Sequence, residues 1–219
     1  MLSRKKVKIK KETLLFIVGS LLLIIALILF YYDKIIEVSN ELKSNIETEI
    51  YKEKTKNNIL INVTTDYLED EPSNNNENQN NYVPNYIAFL EIEKINLKQG
   101  LLAIDNPYNY VDYHVQILSI SDFPDVINGN FILAGHSGTS SVAYFKNLYK
   151  LNTGDEAKIY YNSNVYKYQI VDIYNEVKDG SVTIRRDNSK TTLTLITCTK
   201  NDKEHQTIYI LELKNVENY

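Results

Sequence analysis

Cysteine is almost absent from this sequence. Cys198 is the only one among 219 residues, so no disulfide bond can form within the chain. Glycine, proline and tryptophan are also scarce, at seven, four and none, and eighteen tyrosines supply the aromatic bulk. Aspartate and glutamate are frequent but form no cluster with the spacing of metal ligands. The sequence therefore predicts neither a disulfide scaffold, nor a metal site, nor a bound cofactor.

Positive charge is concentrated at the N-terminus. Residues 1–11 hold six lysine and arginine side chains and no acidic one, whereas the whole chain carries a net charge of −4. The body that follows is therefore acidic. Binding to nucleic acid requires a positively charged footprint for the phosphates, so the composition argues against nucleic acid as a partner.

The basic head, residues 1–13, precedes an uncharged apolar run over residues 14–32. A helix of this length spans roughly 28 Å, close to the ~30 Å hydrocarbon core of a bilayer. We predict a single-pass transmembrane helix with its N-terminus in the cytoplasm, because basic residues dominate that flank. The alternative is a cleaved signal peptide, which would have a shorter apolar core. It would also need a small-residue cleavage site, which Phe30–Asp33 does not supply.

Residues 33–82 predict a helical stalk followed by a disordered, asparagine-rich linker. Apolar residues at spacings of three and four, from Ile35 to Ile50, continue the helical pattern beyond the membrane. Glu69–Asn81 contains no apolar side chain, so nothing there offsets the entropy of ordering the backbone. The folded domain is then predicted over residues 83–217.

The folded domain has the pattern of a mainly β structure. Short runs of β-branched and aromatic residues alternate with turn signals, which favours seven or eight strands in a closed or nearly closed barrel. Helical spacing predicts two short helices, over Tyr108–Leu118 and Ser141–Tyr149. The predicted strands cover Tyr86–Ile92, Asn130–Ala134, Ala157–Tyr161, Val165–Tyr174, Val182–Ile184, Thr191–Thr197 and Thr207–Leu213.

Cys198 closes one predicted strand and is followed by a polar loop. Strand alternation places it on the face opposite Leu193 and Leu195. A free cysteine is often no more than a small buried apolar residue. In an exported domain, however, a lone thiol is a liability unless it pairs with another chain or does chemistry. The position at the rim of a sheet makes Cys198 a candidate nucleophile.

His136 occupies a matching position at the end of another predicted strand, within Gly135-His136-Ser137-Gly138. A nearby imidazolium favours the reactive thiolate and remains available to protonate a leaving amine. We therefore predict that His136 and Cys198 form a catalytic pair at one end of the barrel. His114 and His205 lack such a setting and are interpreted as structural or solvent-exposed residues.

Two segments of the sequence resemble the signatures of the sortases. Leu133–Ser137 resembles the strand end that carries the family's histidine, and Thr192–Cys198 resembles its TLxTC strand. The resemblance runs from about Tyr86 to Leu213. It implies an eight-stranded sortase barrel with short helices. It also implies a reaction in which cysteine cleaves an LPxTG-like sorting signal after its threonine and passes the acyl group to an amine.

One departure concerns the arginine that sortases usually carry at the start of the last strand. The corresponding position here is Gln206, whose neutral amide donates a weaker hydrogen bond than a charged group. Gln206 is therefore a candidate for oxyanion stabilisation or substrate positioning, as is Thr197. The alternatives are that a cation takes that role, or that the site is impaired. The candidate cations are Arg185, Arg186 and Lys203.

The resulting functional hypothesis is a membrane-anchored cysteine transpeptidase whose catalytic domain lies outside the cell, in a Gram-positive bacterium. Its expected partners are a surface-protein sorting signal and an amine of a cell-wall precursor or a pilin. Two alternatives stay open. The first is a catalytically impaired peptide-binding module, and the second is a thiol peptidase that transfers the acyl group to water.

Overall fold

The computed structural model describes residues 11–64 and 84–219. Most of the predicted basic head and the asparagine-rich linker over Glu69–Asn81 lie outside these residues. The described elements are one helix, eight strands and two single-turn 3₁₀ helices. They are α1 (Lys11–Thr64), β1 (Ala88–Ile92), β2 (Leu97–Leu101), β3 (Gln116–Ile117), β4 (Asn130–Ala134), β5 (Glu156–Tyr161), β6 (Asn164–Val177), β7 (Thr192–Cys198), β8 (His205–Asn218), and the turns Glu93–Ile95 and Leu148–Lys150.

Helix α1 is continuous, and its first part is apolar. Leu15–Ile36 is long and apolar enough to cross a membrane, and its window of side chains is not buried by the protein. This candidate span overlaps the predicted run over residues 14–32 and extends one turn further. The chain divides into two compact units, and the boundary lies between Lys43 and Ser44.

The eight strands form one sheet in the order β2-β1-β5-β6-β8-β7-β4-β3, bent into a nearly closed barrel. All neighbouring strands are antiparallel except β4 and β7, which run parallel, with Ala134 paired to Ile196. The predicted mainly β barrel of eight strands is thereby confirmed. Strand β2 was not among the predicted strands.

Alternation along the strands separates an inner and an outer layer. Leu193 and Leu195 on β7 point into the barrel, where they are fully buried with Tyr209 and Leu211 of β8. The intervening residues point outward. On β4, β7 and β8 these outward side chains form a second apolar cluster, which we call the outer cluster: Ile132, Ile196, Ile208 and Ile210.

The prediction of a strand over Val182–Ile184 is wrong, although the alternation that suggested it is real. Val182 and Ile184 pack against the outer cluster, while Thr183 points to solvent. The backbone here bonds to side chains instead of a neighbouring strand. The N–H of Thr183 donates to Glu176 Oε2 at 2.9 Å, and that of Arg185 donates to Tyr174 Oη at 2.8 Å. The segment is an extended cover over β4, β7 and β8.

The two predicted helices are also wrong in large part. Residues 108–118 form turns that end in β3, and residues 141–149 form turns that end in the 3₁₀ turn Leu148–Lys150. The buried side chain of Asn109 organises the first segment. Its Oδ1 accepts from the N–H of Ile117 at 2.8 Å, and its amide donates to the carbonyl of Ile117 at 2.9 Å. A side chain that bonds backbone groups in this way competes with helix formation.

The part of α1 that follows Ser44 belongs to the same compact unit as the barrel. Tyr51 packs against Phe89 of β1, with ring centroids 4.9 Å apart, and its hydroxyl donates to the carbonyl of Ile87 at 2.8 Å. Thr48 is almost fully buried. These contacts cover a small apolar cluster on the outside of the barrel. The predicted division at residue 83 stays a prediction, but the compact unit also includes this helical segment.

Candidate active site

Cys198 is the last residue of β7 and is partly exposed. It shares the outward face of the strand with Ile196, whereas Leu195 and Thr197 point the other way. Its register partner on β8 is Gln206. Paired residues on antiparallel strands lie side by side on the same face of a sheet. The thiol therefore emerges at the rim, next to the amide of Gln206.

His136 lies two residues beyond the end of β4, the parallel neighbour of β7. Three hydrogen bonds tie the two strand ends together. The N–H of Gly135 donates to the carbonyl of Ile196 at 3.1 Å, Thr197 Oγ1 donates to the carbonyl of Gly135 at 2.8 Å, and Ser137 Oγ donates to the carbonyl of Cys198 at 2.7 Å. The structure thus brings the predicted pair to adjacent positions at the same edge of the sheet.

The imidazole of His136 bonds to a carboxylate in this structure and makes no hydrogen bond to the thiol. His136 Nε2 lies 3.1 Å from Asp112 Oδ1. The side chain of Asp112 is 79% exposed and that of His136 is 39% exposed. Exposed ion pairs contribute little to stability, so this contact does not lock the ring in place. Sequence reasoning missed Asp112, because the turn that carries it was interpreted as part of a helix.

The thiol instead contacts a lysine. Lys178 Nζ lies 3.3 Å from Cys198 Sγ, and within the described ranges no other side chain makes a hydrogen bond to this sulfur. Lys178 directly follows the end of β6. Sequence reasoning missed this residue too, because nothing in its local pattern distinguishes it from a surface lysine.

Gln206 and Thr197 are both buried and already hydrogen-bonded. Gln206 Nε2 donates to the carbonyl of Ser181 at 2.7 Å, which ties β8 to the extended cover. Thr197 is bonded to Gly135, as described above, and lies on the inward face of β7. The structure therefore places Gln206 beside the thiol, and it places Thr197 on the opposite, inward face of β7.

The other candidate side chains lie elsewhere or have other partners. Arg185 pairs with Glu176 at 3.3 Å, and its guanidinium lies over the Tyr174 ring. Arg186 donates to the carbonyls of Asn128 and Lys190, each at 3.0 Å. No hydrogen bond joins Lys203 to Cys198 in the described part of the chain. His205 pairs with Asp202 at 2.8 Å, and His114 packs near the rings of Tyr86 and Tyr144.

A narrow cleft opens beside Cys198. Its walls include the aromatic rings of Phe145, Tyr149 and Tyr209, together with Lys146 and Lys200. The volume of this cleft is about 10 Å³, which is room for about one water molecule. Among the described residues, no group of three His, Cys, Asp or Glu side chains is arranged to hold a metal ion.

Comparison with known proteins finds similarity to sortases, both by sequence and by structure. The model of the sortase domain matches residues 90–214. Sortase A of Bacillus anthracis is 34% identical over 70 residues, which cover 32% of this chain and 33% of that protein. The match therefore spans about one third of the length of that curated relative.

Solved structures show the same fold. A sortase D5 transpeptidase of Clostridium perfringens is 27% identical, with a TM-score of 0.50 over 59% of this chain and 79% of that one. Sortase C1 of Streptococcus agalactiae is 24% identical, with a TM-score of 0.54 over 61% and 69% of the two chains. Sortase A of Corynebacterium diphtheriae, a lid mutant, is 21% identical, with a TM-score of 0.54 over 60% and 72%.

Proposed function

The chain belongs to the sortase family, and on this basis we propose that it is a cysteine transpeptidase in which Cys198 is the nucleophile and His136 is the acid and base. Its substrate is an LPxTG-like sorting signal of a surface protein. Its acceptor is an amine of a cell-wall precursor or of a pilin subunit. The apolar helix over Leu15–Ile36 anchors it in the membrane, with the barrel outside the cell.

The observation that carries this proposal is the placement of Cys198 and His136 at the ends of two adjacent parallel strands. Cys198 is the last residue of β7, and His136 lies two residues beyond the end of β4. The bond from Ser137 to the carbonyl of Cys198 fixes the spacing of the two backbones. Catalytic hydrogen bonds are often absent or long before substrate binds, so the present pairing of His136 with Asp112 is compatible with this role.

The reaction proceeds in two steps. Cys198 Sγ, as the thiolate, attacks the carbonyl carbon of the scissile peptide bond, and a thioester forms as the C–N bond breaks. His136 gives its proton to the departing amine. The acceptor amine then attacks the thioester carbon and loses a proton to His136, and Sγ leaves as the thiolate. The two steps together restore the thiolate and the protonated imidazole with which the cycle began.

Membrane attachment fits this chemistry, because both substrates would be presented at the outer surface of the cell. Basic residues flank the cytoplasmic side of the helix in the sequence, which favours this orientation. A partly exposed thiol outside the cell also agrees with a catalytic role, since the chain has no second cysteine with which to pair.

The test uses a quenched peptide library built around LPxTG, with the full chain in detergent micelles and an added amine. We expect a covalent adduct on Cys198 by mass spectrometry and amine-dependent product. Cys198→Ala should form no adduct, and His136→Ala should lose at least about a hundredfold in rate, the usual contribution of a general acid–base group.

The outcomes separate the alternatives. Cleavage without amine-dependent product would identify a thiol peptidase. Binding of peptides without any adduct across the library would contradict transpeptidation and identify a peptide-binding module.

A further inference from the structure

We propose that Lys178 supplies the positive charge that holds the Cys198 sulfur as the thiolate, and that Gln206 is a positioning residue that fixes the segment carrying Lys178. This inference rests on the proposed function, in which Cys198 is the nucleophile. No proton passes through Lys178: the thiol proton goes to His136 and the ammonium stays charged.

The contact between ammonium and sulfur is direct. Lys178 Nζ is 3.3 Å from Cys198 Sγ, within the distance of a hydrogen bond to sulfur. A neighbouring lysine is one of the groups that favour the thiolate over the thiol. The ammonium is a compact charge on a flexible stem, so it can stay close to the sulfur while a peptide binds.

Lys178 is held in place by its own backbone. Its N–H donates to the carbonyl of Glu204 at 2.7 Å, which extends the pairing of β6 with β8 by one residue. Lys178 lies two residues after Glu176, so both side chains point to the same face of the sheet. Glu176 is paired with Gln206. The side chain of Lys178 therefore lies on the same face of the sheet as Gln206 and Cys198.

The turn after Lys178 is fixed at two further points. Gly180 has a positive φ of 95°, a conformation that glycine adopts without strain. The carboxylate of Asp179 accepts from the hydroxyl of Ser181 at 2.7 Å and from its N–H at 3.0 Å. These bonds hold the pKa of Asp179 below its usual value.

Gln206 joins the turn after Lys178 to β8. Its buried amide donates to the carbonyl of Ser181, and this bond fastens the turn onto β8. This bond uses one of the two N–H groups of the amide. Gln206 is neutral, so it contributes a tether rather than a charge. A single charged residue on β8 could both tether the turn and supply the positive charge. Here Gln206 tethers the turn and Lys178 supplies the charge.

Other charged groups surround the thiol but make different contacts. In the segment after β4, His136 is paired with Asp112. On the loop after β7, Lys200 lies over the ring of Tyr149, and on β8 the ring of His205 is paired with Asp202. Lys146 lines the cleft from the segment after β4. In the described ranges, only Lys178 places a cation in hydrogen-bond contact with Sγ.

The test measures alkylation of Cys198 by iodoacetamide, in which the thiolate displaces iodide, on the full chain in detergent micelles without any peptide. For Lys178→Met we expect a rate about tenfold lower at pH 7, with the pH–rate profile moved toward higher pH, because one close positive charge is lost. Lys178→Arg keeps the charge and should stay within about threefold of the unmodified chain.

Lys203→Met is the matched control, since it removes the same charge from a nearby loop without a contact to Sγ. Its alkylation should be unchanged. Gln206→Ala should lower the rate in the same direction as Lys178→Met but less, because the turn loses its tether. Thermal unfolding of each variant shows whether the fold is retained.

An unchanged rate and pH profile in Lys178→Met would overturn the proposal, as would an equal loss in Lys203→Met. An unchanged rate in Gln206→Ala would remove the positioning role of that residue. Because alkylation needs no substrate, these outcomes are independent of the peptide assay. A Lys178-dependent thiolate in a chain that acylates no peptide would leave this inference standing while the transpeptidase proposal failed.

Discussion

Gly135 is the residue at which the chain leaves β4 and passes the ring of Phe145. A Cβ added there would lie 2.9 Å from Phe145 Cδ2, closer than such contacts occur. Phe145 is fully buried, and its N–H donates to the carbonyl of His136 at 2.9 Å. The absence of a side chain at Gly135 therefore allows His136 to lie next to the core.

We expect Gly135→Ala to lower the free energy of unfolding by about 1–3 kcal/mol, the usual range for inserting a methyl group into a packed core. It should also slow acylation, because relief of the clash moves the backbone of His136. Gly138→Ala is the control, since no atom lies within 4 Å of an added Cβ there. Chemical denaturation of both variants checks this, and equal stability of the two would contradict the packing argument.

At the residue scale, the sequence marked His136 and Cys198 because each is a reactive side chain at a strand end. It also marked Gln206 by comparison with the family. The contacts of these residues could not be read in the same way. Lys178 is twenty residues from Cys198 in the chain, and only the pairing of β8 with both β6 and β7 brings the two together.

Among the elements, the part of α1 after Ser44 packs against the outside of the barrel as well as continuing the predicted stalk. Tyr51 lies against Phe89, and Lys52 places its ammonium 4.7 Å from the centre of the Tyr160 ring. In the sequence this segment has the helical apolar stripe of a solvated stalk. The side chains that contact β1 and β5 are those of Tyr51 and Lys52, whereas Ile46 of that stripe is 52% exposed. No local pattern reveals which side of the helix the barrel covers.

We expect Tyr51→Ala to lower the free energy of unfolding of the full chain by about 2 kcal/mol, through loss of a half-buried ring. Tyr51→Phe, which removes only the hydroxyl bond to Ile87, should lower it by about 1 kcal/mol. Lys54→Ala, on the exposed face of the same helix, serves as the control. Denaturant titration in detergent gives the values. If Tyr51→Ala and Lys54→Ala were equally stable, the helix would not support the barrel.

The extended segment Val182–Ile184 shows what a strand-like pattern reports and what it does not. Period-two alternation reports which side chains face an apolar surface, and here that report was accurate. It does not report whether the backbone pairs with another strand. In this segment the side chains of Glu176 and Tyr174 take the backbone hydrogen bonds, so an extended chain packs on the sheet without joining it.

For the whole molecule, buried tyrosines make stability depend on pH in the alkaline range. Burial raises the pKa of Tyr209 to about 12 and raises the pKa of Tyr51, Tyr160 and Tyr168 well above their usual value. Tyrosines in the unfolded chain ionise near pH 10. The contribution of these tyrosines to the free energy of unfolding is therefore fully present below about pH 10. It is lost as the pH rises toward 12, because the unfolded chain releases protons that the folded chain retains.

We expect the denaturation midpoint to be flat from about pH 8 to 9.5 and to fall steeply above about pH 10. Tyr168→Phe should reduce that fall, since Tyr168 is fully buried and its hydroxyl has no hydrogen-bond partner among the described residues. It should also be at least as stable as the unmodified chain at neutral pH. Tyr110→Phe, at an exposed ring, should change neither property. A Tyr168→Phe profile that matches the unmodified chain would contradict this account.

The sequence by itself determined the apolar helix, the mainly β fold and the two reactive residues at strand ends, because each depends on local composition or on periodicity along the chain. Only the tertiary structure decided that β4 lies parallel to β7 and that Lys178 contacts Cys198. It alone decided that Asp112 contacts His136 and that Gln206 tethers the turn after β6. These features join residues far apart in the chain, and they depend on which strands pair and in which register, which is set by the packing of the whole barrel rather than by any single segment.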